Sequence, residues 1–155
     1  MASLYITGHS LGGAMAALAG LWCGFEDVPS LCGIYTFGQP MLGSPAFAEY
    51  AHARMGKLLF RHVYRDDIVP HLPRRFGIAR FVHFGTEWRA ARPADWRRSR
   101  AKSHQVFDAV LGGVGAVVVP WLAAAGERIG RRLPLSYSWQ DHSPSRYLDI
   151  DAGAA

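Results

Sequence analysis

Leu4-Tyr5-Ile6-Thr7-Gly8-His9-Ser10-Leu11-Gly12-Gly13-Ala14 opens on a short apolar run, breaks at a glycine, and continues as an Ala- and Leu-rich pattern with helical spacing to about Trp22. It reads as strand, sharp turn, helix. The turn holds Gly8-His9-Ser10-Leu11-Gly12, a G-x-S-x-G pattern in the strand-to-helix setting that gives the pattern meaning. Such a turn forces its serine into a strained backbone conformation that lifts the hydroxyl above the sheet. Glycines are expected at positions 8 and 12, because side chains there would strike the neighbouring strand and helix. The helix N-terminus then faces the hydroxyl, with the backbone N–H of Leu11 able to donate to an oxyanion. The competing reading, an ordinary glycine turn, is weakened by the flanking strand and by the small-residue helix through Ala19.

Working outward, Leu31-Cys32-Gly33-Ile34-Tyr35-Thr36-Phe37 is the next strand, closed by Gly38-Gln39-Pro40. Ser44 caps a helix with Pro45 in its first position and Gly56 past its end. Leu58 to Tyr64 reads as a third strand, stopped by Asp66-Asp67 and Pro70, and Phe81-Val82-His83-Phe84 as a short fourth. Strands alternating with helices imply an α/β fold with a mostly parallel sheet, flanking helices, and functional loops gathered at strand ends. At 155 residues the chain makes a single domain, 1–155, with a basic and apolar insertion at about 86–132. Residues 86–106, with Trp88 and Trp96, read as a surface loop. Ala109 to Gly126 carries no charge, yet its glycines and Pro120 favour a buried or interface-docking hairpin over a membrane span.

Half of the residues are hydrophobic and 19% are charged, a balance that excludes a disordered chain. The formal charge of +5 is uneven: Arg89, Arg92, Arg97, Arg98, Arg100 and Lys102 crowd one stretch, and Arg128, Arg131 and Arg132 follow the apolar run. No nucleic-acid motif interleaves aromatics with these charges, so nucleic acid is not an expected partner. An anionic membrane surface is, beside the plainer reading of a solvated basic face. Cys23 and Cys32, in apolar surroundings without metal-ligand spacing, read as two buried thiols. No cofactor and no metal is implied. Met1 to Thr7 lacks the charged and apolar regions of a signal peptide, and a cytoplasmic or peripheral-membrane location is expected.

A serine hydroxyl needs a base, and the base an orienting acid. Asp67, turned by Ile68-Val69-Pro70 after the third strand, is a candidate acid with Asp66 as its rival. His142 and His104 are among seven histidines that spacing alone leaves open. The strings Ile6 to Ala14, Thr36 to Pro40, Tyr64 to Pro73 and Asp141 to Tyr147, taken in order, resemble four landmarks of the class 3 (fungal-type) lipases, which are α/β-hydrolases. In that family the acid is the aspartate two positions before Val-Pro, which matches Asp67, and the base is the histidine of the late Asp-His pair, which matches His142. His83 lies in a stretch similar to the family strand after the acid, which gives it a structural role.

The resemblance implies a partial α/β-hydrolase fold, its C-terminal portion, with the N-terminal strands and lid region of the family missing. An exposed sheet edge and half an oxyanion hole are then expected, to be completed by an upstream segment or a second chain. The implied function is hydrolysis of lipid carboxylic esters, by a triacylglycerol lipase or carboxylesterase, through an acyl-enzyme on Ser10 with His142 as base and Asp67 as orienting acid. The alternative from another class is a catalytically silent fragment acting as a lipid-surface binding module. Because the base must start neutral, activity is expected to fall in acid.

Overall fold

The computed structural model describes residues 3–26, 30–92, 95–99 and 138–148. Strand β1 (Leu4–His9), helix α1 (Leu11–Phe25), strand β2 (Leu31–Phe37), helix α2 (Pro45–Met55) and strand β3 (Leu59–Tyr64) come first. A 3-10 turn (Val69–His71), a small hairpin of β4 (Arg75–Phe76) and β5 (Ala79–Arg80), and strands β6 (Thr86–Ala90) and β7 (Trp96–Arg98) follow. A second 3-10 turn (Gln140–His142) leads into the short helix α3 (Pro144–Leu148). The main sheet runs β1-β2-β3-β6-β7, with the first four strands parallel and β7 antiparallel on β6. The α/β architecture with a mostly parallel sheet is therefore as expected.

The register explains the core. Ile6 pairs with Ile34 and Ile34 with Leu59, so one apolar row crosses three strands on the face that α1 and α2 cover. Small residues let α1 approach: a Cβ on Gly20 would lie 2.1 Å from Ile34 Cδ1. Ala17, Leu21, Ala51 and Met55 fill the rest of this buried layer, where each large apolar side chain contributes about 1.5–3 kcal/mol. The α2 termini follow the sequence pattern. Ser44 Oγ accepts from Phe47 N at 3.2 Å, Pro45 sits in the first turn, and Gly56 ends the helix.

Three expectations are corrected. Phe81 to Phe84 is not the fourth strand: Val82 makes only an isolated bridge to Gly43, and Phe84 packs into the core against Phe47, ring centroids 6.0 Å apart. The chain turns at Gly85 (φ +83), and the strand begins at Thr86. Residues 86 onward are accordingly not all loop, since β6 and β7 extend the sheet there. Cys32 is exposed and Cys23 only half-buried. The β1–β2 ladder skips Cys32, pairing Leu4 with Leu31 and Tyr5 with Gly33, so the cysteine sits in a bulge at the end of the sheet. His104 and the 109–126 run lie outside the described residues. Among the described residues no helix is long and apolar enough to cross a membrane. No described strand pairs with the outer edge of β1.

Candidate active site

Ser10 alone makes the turn between β1 and α1. Its φ of 58° and ψ of −129° place a non-glycine residue where backbone strain costs about 1–3 kcal/mol. Hydrogen bonds hold it there: Ser10 N donates to Phe37 O at 2.9 Å, and Ser10 O accepts from Gly13 N at 2.9 Å and Ala14 N at 3.3 Å. A Cβ on Gly8 would lie 2.2 Å from Gly12 O, so that glycine is obligatory. At Gly12, contrary to the sequence expectation, a Cβ would meet nothing within 4 Å. The second crowded position is Gly13, whose Cβ would lie 3.1 Å from Gly8 O and 3.2 Å from Gln39 Cβ. Strand and helix thus close on each other between Gly8 and Gly13.

Asp67 follows β3 in a tight turn, with Arg65 at φ 43° and Asp67 N donating to Tyr64 O at 3.0 Å. Its carboxylate is 0% exposed, and Oδ1 accepts from Val69 N at 2.9 Å. His142 arrives from the far end of the chain. Ser138 N donates to Asp66 O at 2.8 Å, and Ser138 forms a parallel bridge to Asp67, which docks the segment beside the end of β3. His142 Nδ1 then lies 2.9 Å from Asp67 Oδ2 and 3.1 Å from Oδ1, and Nε2 lies 2.8 Å from Ser10 Oγ. Residues 132 and 75 positions from His142 in sequence meet on its two ring nitrogens. Leu11, proposed from sequence as a backbone donor, is the first residue of α1. Asp66, the rival acid, is exposed and serves through its carbonyl. His83 donates from Nε2 to Pro70 O at 2.6 Å, a structural role as expected.

Three residues around this cluster had no role in the sequence reading. Tyr147, buried in α3, donates its hydroxyl to Asp67 Oδ2 and accepts from Tyr64 N at 3.2 Å. Burial, reinforced by the Asp67 charge, pushes this phenol well above its ordinary range, so it remains a donor. His9 donates from Nε2 to the backbone oxygen of His142 at 2.8 Å, and the two rings lie 4.6 Å apart. Burial, with His142 alongside, lowers the His9 pKa and favours a neutral ring. Gly38, read from sequence only as a strand breaker, sits at φ +59; a Cβ there would lie 2.8 Å from Asp67 Oδ2 and 2.9 Å from His142 Cε1 and Nδ1. The one sequence signal for all three was their place in the strings quoted above. Among the described residues no group of His, Cys, Asp and Glu is arranged to hold a metal ion.

Residues 1–77 match the family model described as lipase (class 3). Over part of its length, the chain belongs to the class 3 lipase family. It is 44% identical over 87 residues to a lipase of Rhizopus niveus, a match covering 53% of this chain and 21% of that protein. It is 37% identical over 91 residues to a triacylglycerol lipase of Arabidopsis thaliana, covering 54% and 18%. Lipase II from Rhizopus niveus superposes with a TM-score of 0.55 and 31% identity over 77% of this chain and 43% of that one. A triacylglycerol lipase described as having a serine protease triad for its catalytic centre superposes with a TM-score of 0.54 and 31% identity over the same shares. The chain therefore has part of an α/β-hydrolase fold, and spans about a fifth of the length of the curated relatives it matches.

Proposed function

We propose that this chain carries the reacting side chains of a serine hydrolase that cleaves carboxylic esters of lipids, as a triacylglycerol lipase or carboxylesterase does. One observation carries the reading: a single imidazole, His142, stands 2.8 Å from Ser10 Oγ and 2.9 Å from the Asp67 carboxylate. Ser10 attacks the ester carbonyl carbon while its proton passes to His142 Nε2, and Asp67 holds the Nδ1–H tautomer and faces the imidazolium as it forms. The bond to the alcohol breaks, and His142 returns the proton to the departing oxygen. Water, activated by the same base, then releases the acid from Ser10. The oxyanion meets the N-terminus of α1, where Leu11 N–H is the proposed donor. A second donor comes, in this reading, from a further segment or chain that also pairs with the edge of β1 left without a partner among the described strands.

The alternative, a silent module that binds lipid surfaces, is favoured by the exposed apolar stripe Leu11, Met15, Leu18 and Trp22 along α1. A fluorophosphonate probe separates the two. Labelling that disappears in Ser10→Ala and in His142→Ala supports the hydrolase, whereas folded protein that never takes the label supports the silent module.

A further inference from the structure

Met41 and Gly43 follow the C-terminal end of β2, the end of the sheet at which Ser10, Asp67 and His142 meet. The β4–β5 hairpin hangs from that loop: Met41 N donates to Leu72 O at 2.7 Å, Val82 N donates to Gly43 O at 2.9 Å, and Phe81 N closes the hairpin base on Arg74 O at 2.9 Å. Arg75 faces Arg80, and Phe76 faces Ala79, across the two strands. Alternation along a strand therefore sets the arginine pair on one face and Phe76 on the other. Gly77, at φ +59, makes the turn; Ile78 beside it is fully exposed and Phe76 is 66% exposed. The crest Phe76-Gly77-Ile78-Ala79 is thus uncharged and open to solvent along its whole length.

Behind the crest the surface is cationic. Arg75 and Arg80 line a cavity of about 470 Å³ together with Arg61, Arg74 and Arg98, and Glu87 is the one carboxylate on its wall. Both Glu87 oxygens are already engaged, by Arg61 Nη2 at 3.3 Å and by Arg89 Nε at 2.7 Å. The exposed Arg75, Arg80 and Arg98 therefore have no second carboxylate on that wall to face. Like charges directly opposite in a hairpin oppose strand pairing, and a negative surface beside them offsets that cost.

A soluble anion would answer the arginines and leave the crest in water, whereas an apolar partner would cover the crest and leave the arginines. A bilayer containing anionic lipid meets both, and the spacing fits it. Two residues of strand, at about 3.3 Å each, carry the crest roughly 7 Å past the arginine pair, within the depth of about 5–10 Å to which an interfacial element sinks between headgroups and acyl chains. The apolar stripe on α1 offers no such pairing, because Leu11–Phe25 contains no charged residue. We propose that the β4–β5 hairpin docks the protein on a membrane surface that contains anionic lipid, with Phe76 and Ile78 entering the acyl boundary while Arg75, Arg80 and Arg98 meet the headgroup phosphates. Docking there turns the end of the sheet that carries Ser10 towards the lipid phase, and in this it builds on the hydrolase reading.

Vesicle flotation tests the docking, with the full chain carrying Ser10→Ala so that no ester is cleaved. The protein should float with phosphatidylcholine vesicles only when they contain phosphatidylglycerol, and high salt should release it. Phe76→Ser and Ile78→Ser should each weaken binding about tenfold and Arg80→Gln about fivefold, whereas Met15→Ser on α1 should leave it unchanged. All four positions are exposed, and a parent-like melting curve shows that each variant is folded. Amide exchange in residues 75–80 should slow when the anionic vesicles are added, which reads the site without a substitution in it. No flotation with anionic vesicles, flotation indifferent to phosphatidylglycerol, or folded hairpin variants that float like the parent overturns the proposal. Since Ser10 takes no part in docking, failed flotation leaves the fluorophosphonate result standing, and failed labelling leaves the flotation result standing.

Discussion

Gly38→Ala tests whether the histidine and the aspartate are held as tightly as their contacts imply. At φ +59 an alanine carries a backbone cost of about 1–2 kcal/mol. Its Cβ would also sit 2.8 Å from Asp67 Oδ2 and 2.9 Å from His142 Nδ1. Asp67 is fixed by Val69 N and Tyr147, and it lies fully buried. The side chain with freedom to yield is therefore His142, which must move by roughly half an ångström and so weaken its 2.8 Å contact to Ser10 to the long limit of a catalytic hydrogen bond. Misplacement by about 1 Å costs on the order of 100-fold in rate, which places this variant at about ten- to a hundred-fold slower fluorophosphonate labelling, with a stability loss of about 1–3 kcal/mol. Gly12→Ala is the control: open space surrounds that position, so the rate should hold, and the helix should gain up to about 1 kcal/mol. Gly38→Ala labelling at the parent rate, or Gly12→Ala failing as badly, would show that the crowding around Asp67 and His142 does not govern the site.

Ser10→Gly should abolish labelling yet raise stability by about 0.5–1 kcal/mol, because glycine relieves the strained φ and gives back part of that in unfolded-state entropy; a lower denaturation midpoint would count against strain at Ser10. Tyr147→Phe leaves the Tyr64 N–H without a partner inside the protein and Asp67 Oδ2 with His142 alone, so unfolding should become easier by about 1–3 kcal/mol and labelling slower; a neutral variant would mean water replaces the hydroxyl. Acid should act in two windows. Burial, then the Arg89 charge, lower His71 from 6.5 to about 4, so the folded form refuses a proton that the unfolded chain accepts. Stability present above 6.5 is therefore lost as the pH falls from 6.5 towards 4. Burial would raise Glu87, but Arg61 and Arg89 outweigh it and hold the carboxyl at about 2 against 4.5, so its contribution is lost as the pH falls from 4.5 towards 2. Each step is worth on the order of 2–3 kcal/mol, and a melting temperature that stays flat across the upper window would remove His71 from the account.

What was legible in the sequence was what local chemistry decides. A glycine-bounded serine between an apolar run and an alanine-rich run can satisfy its backbone only as a strand-to-helix turn, and Ser44-Pro45 with Gly56 leaves little choice for α2. Strand β6 was hidden for a definite reason. Thr86-Glu87-Trp88-Arg89-Ala90 reads as polar surface until Arg61 is placed beside it, because Glu87 pairs with Arg61 on the neighbouring strand β3 as well as with Arg89 on its own. Phe84 misled in the opposite sense, being buried as a core side chain just before the chain turns at Gly85 and joins the sheet. Gly12 was credited with a close approach that belongs to Gly13, since a pentapeptide pattern says nothing about which glycine faces the neighbouring strand. Tyr147 gives no local signal, because its value lies in two contacts 83 and 80 positions away, to Tyr64 and Asp67.

The three site residues do not depend on the fold in the same way. Ser10 and Asp67 hang from the ends of hydrogen-bonded strands: Ser10 N bonds Phe37 O, and Gly38 N bonds His62 O, which carries the ladder from β1 across β2 to β3. The register His9 to Phe37 to His62 is the same one that aligns Ile6, Ile34 and Leu59 in the core. A slip by one residue would bury the wrong face, so the separation of serine and acid is enforced by the whole apolar layer. The histidine has no such guarantor. It is docked by the Ser138 bridge, by the His9 side chain on its carbonyl, and by Tyr147 packed with Tyr64 and Ala90. Losing any one of these contacts leaves the sheet intact and the serine poised, and removes only the base that would make the hydroxyl reactive.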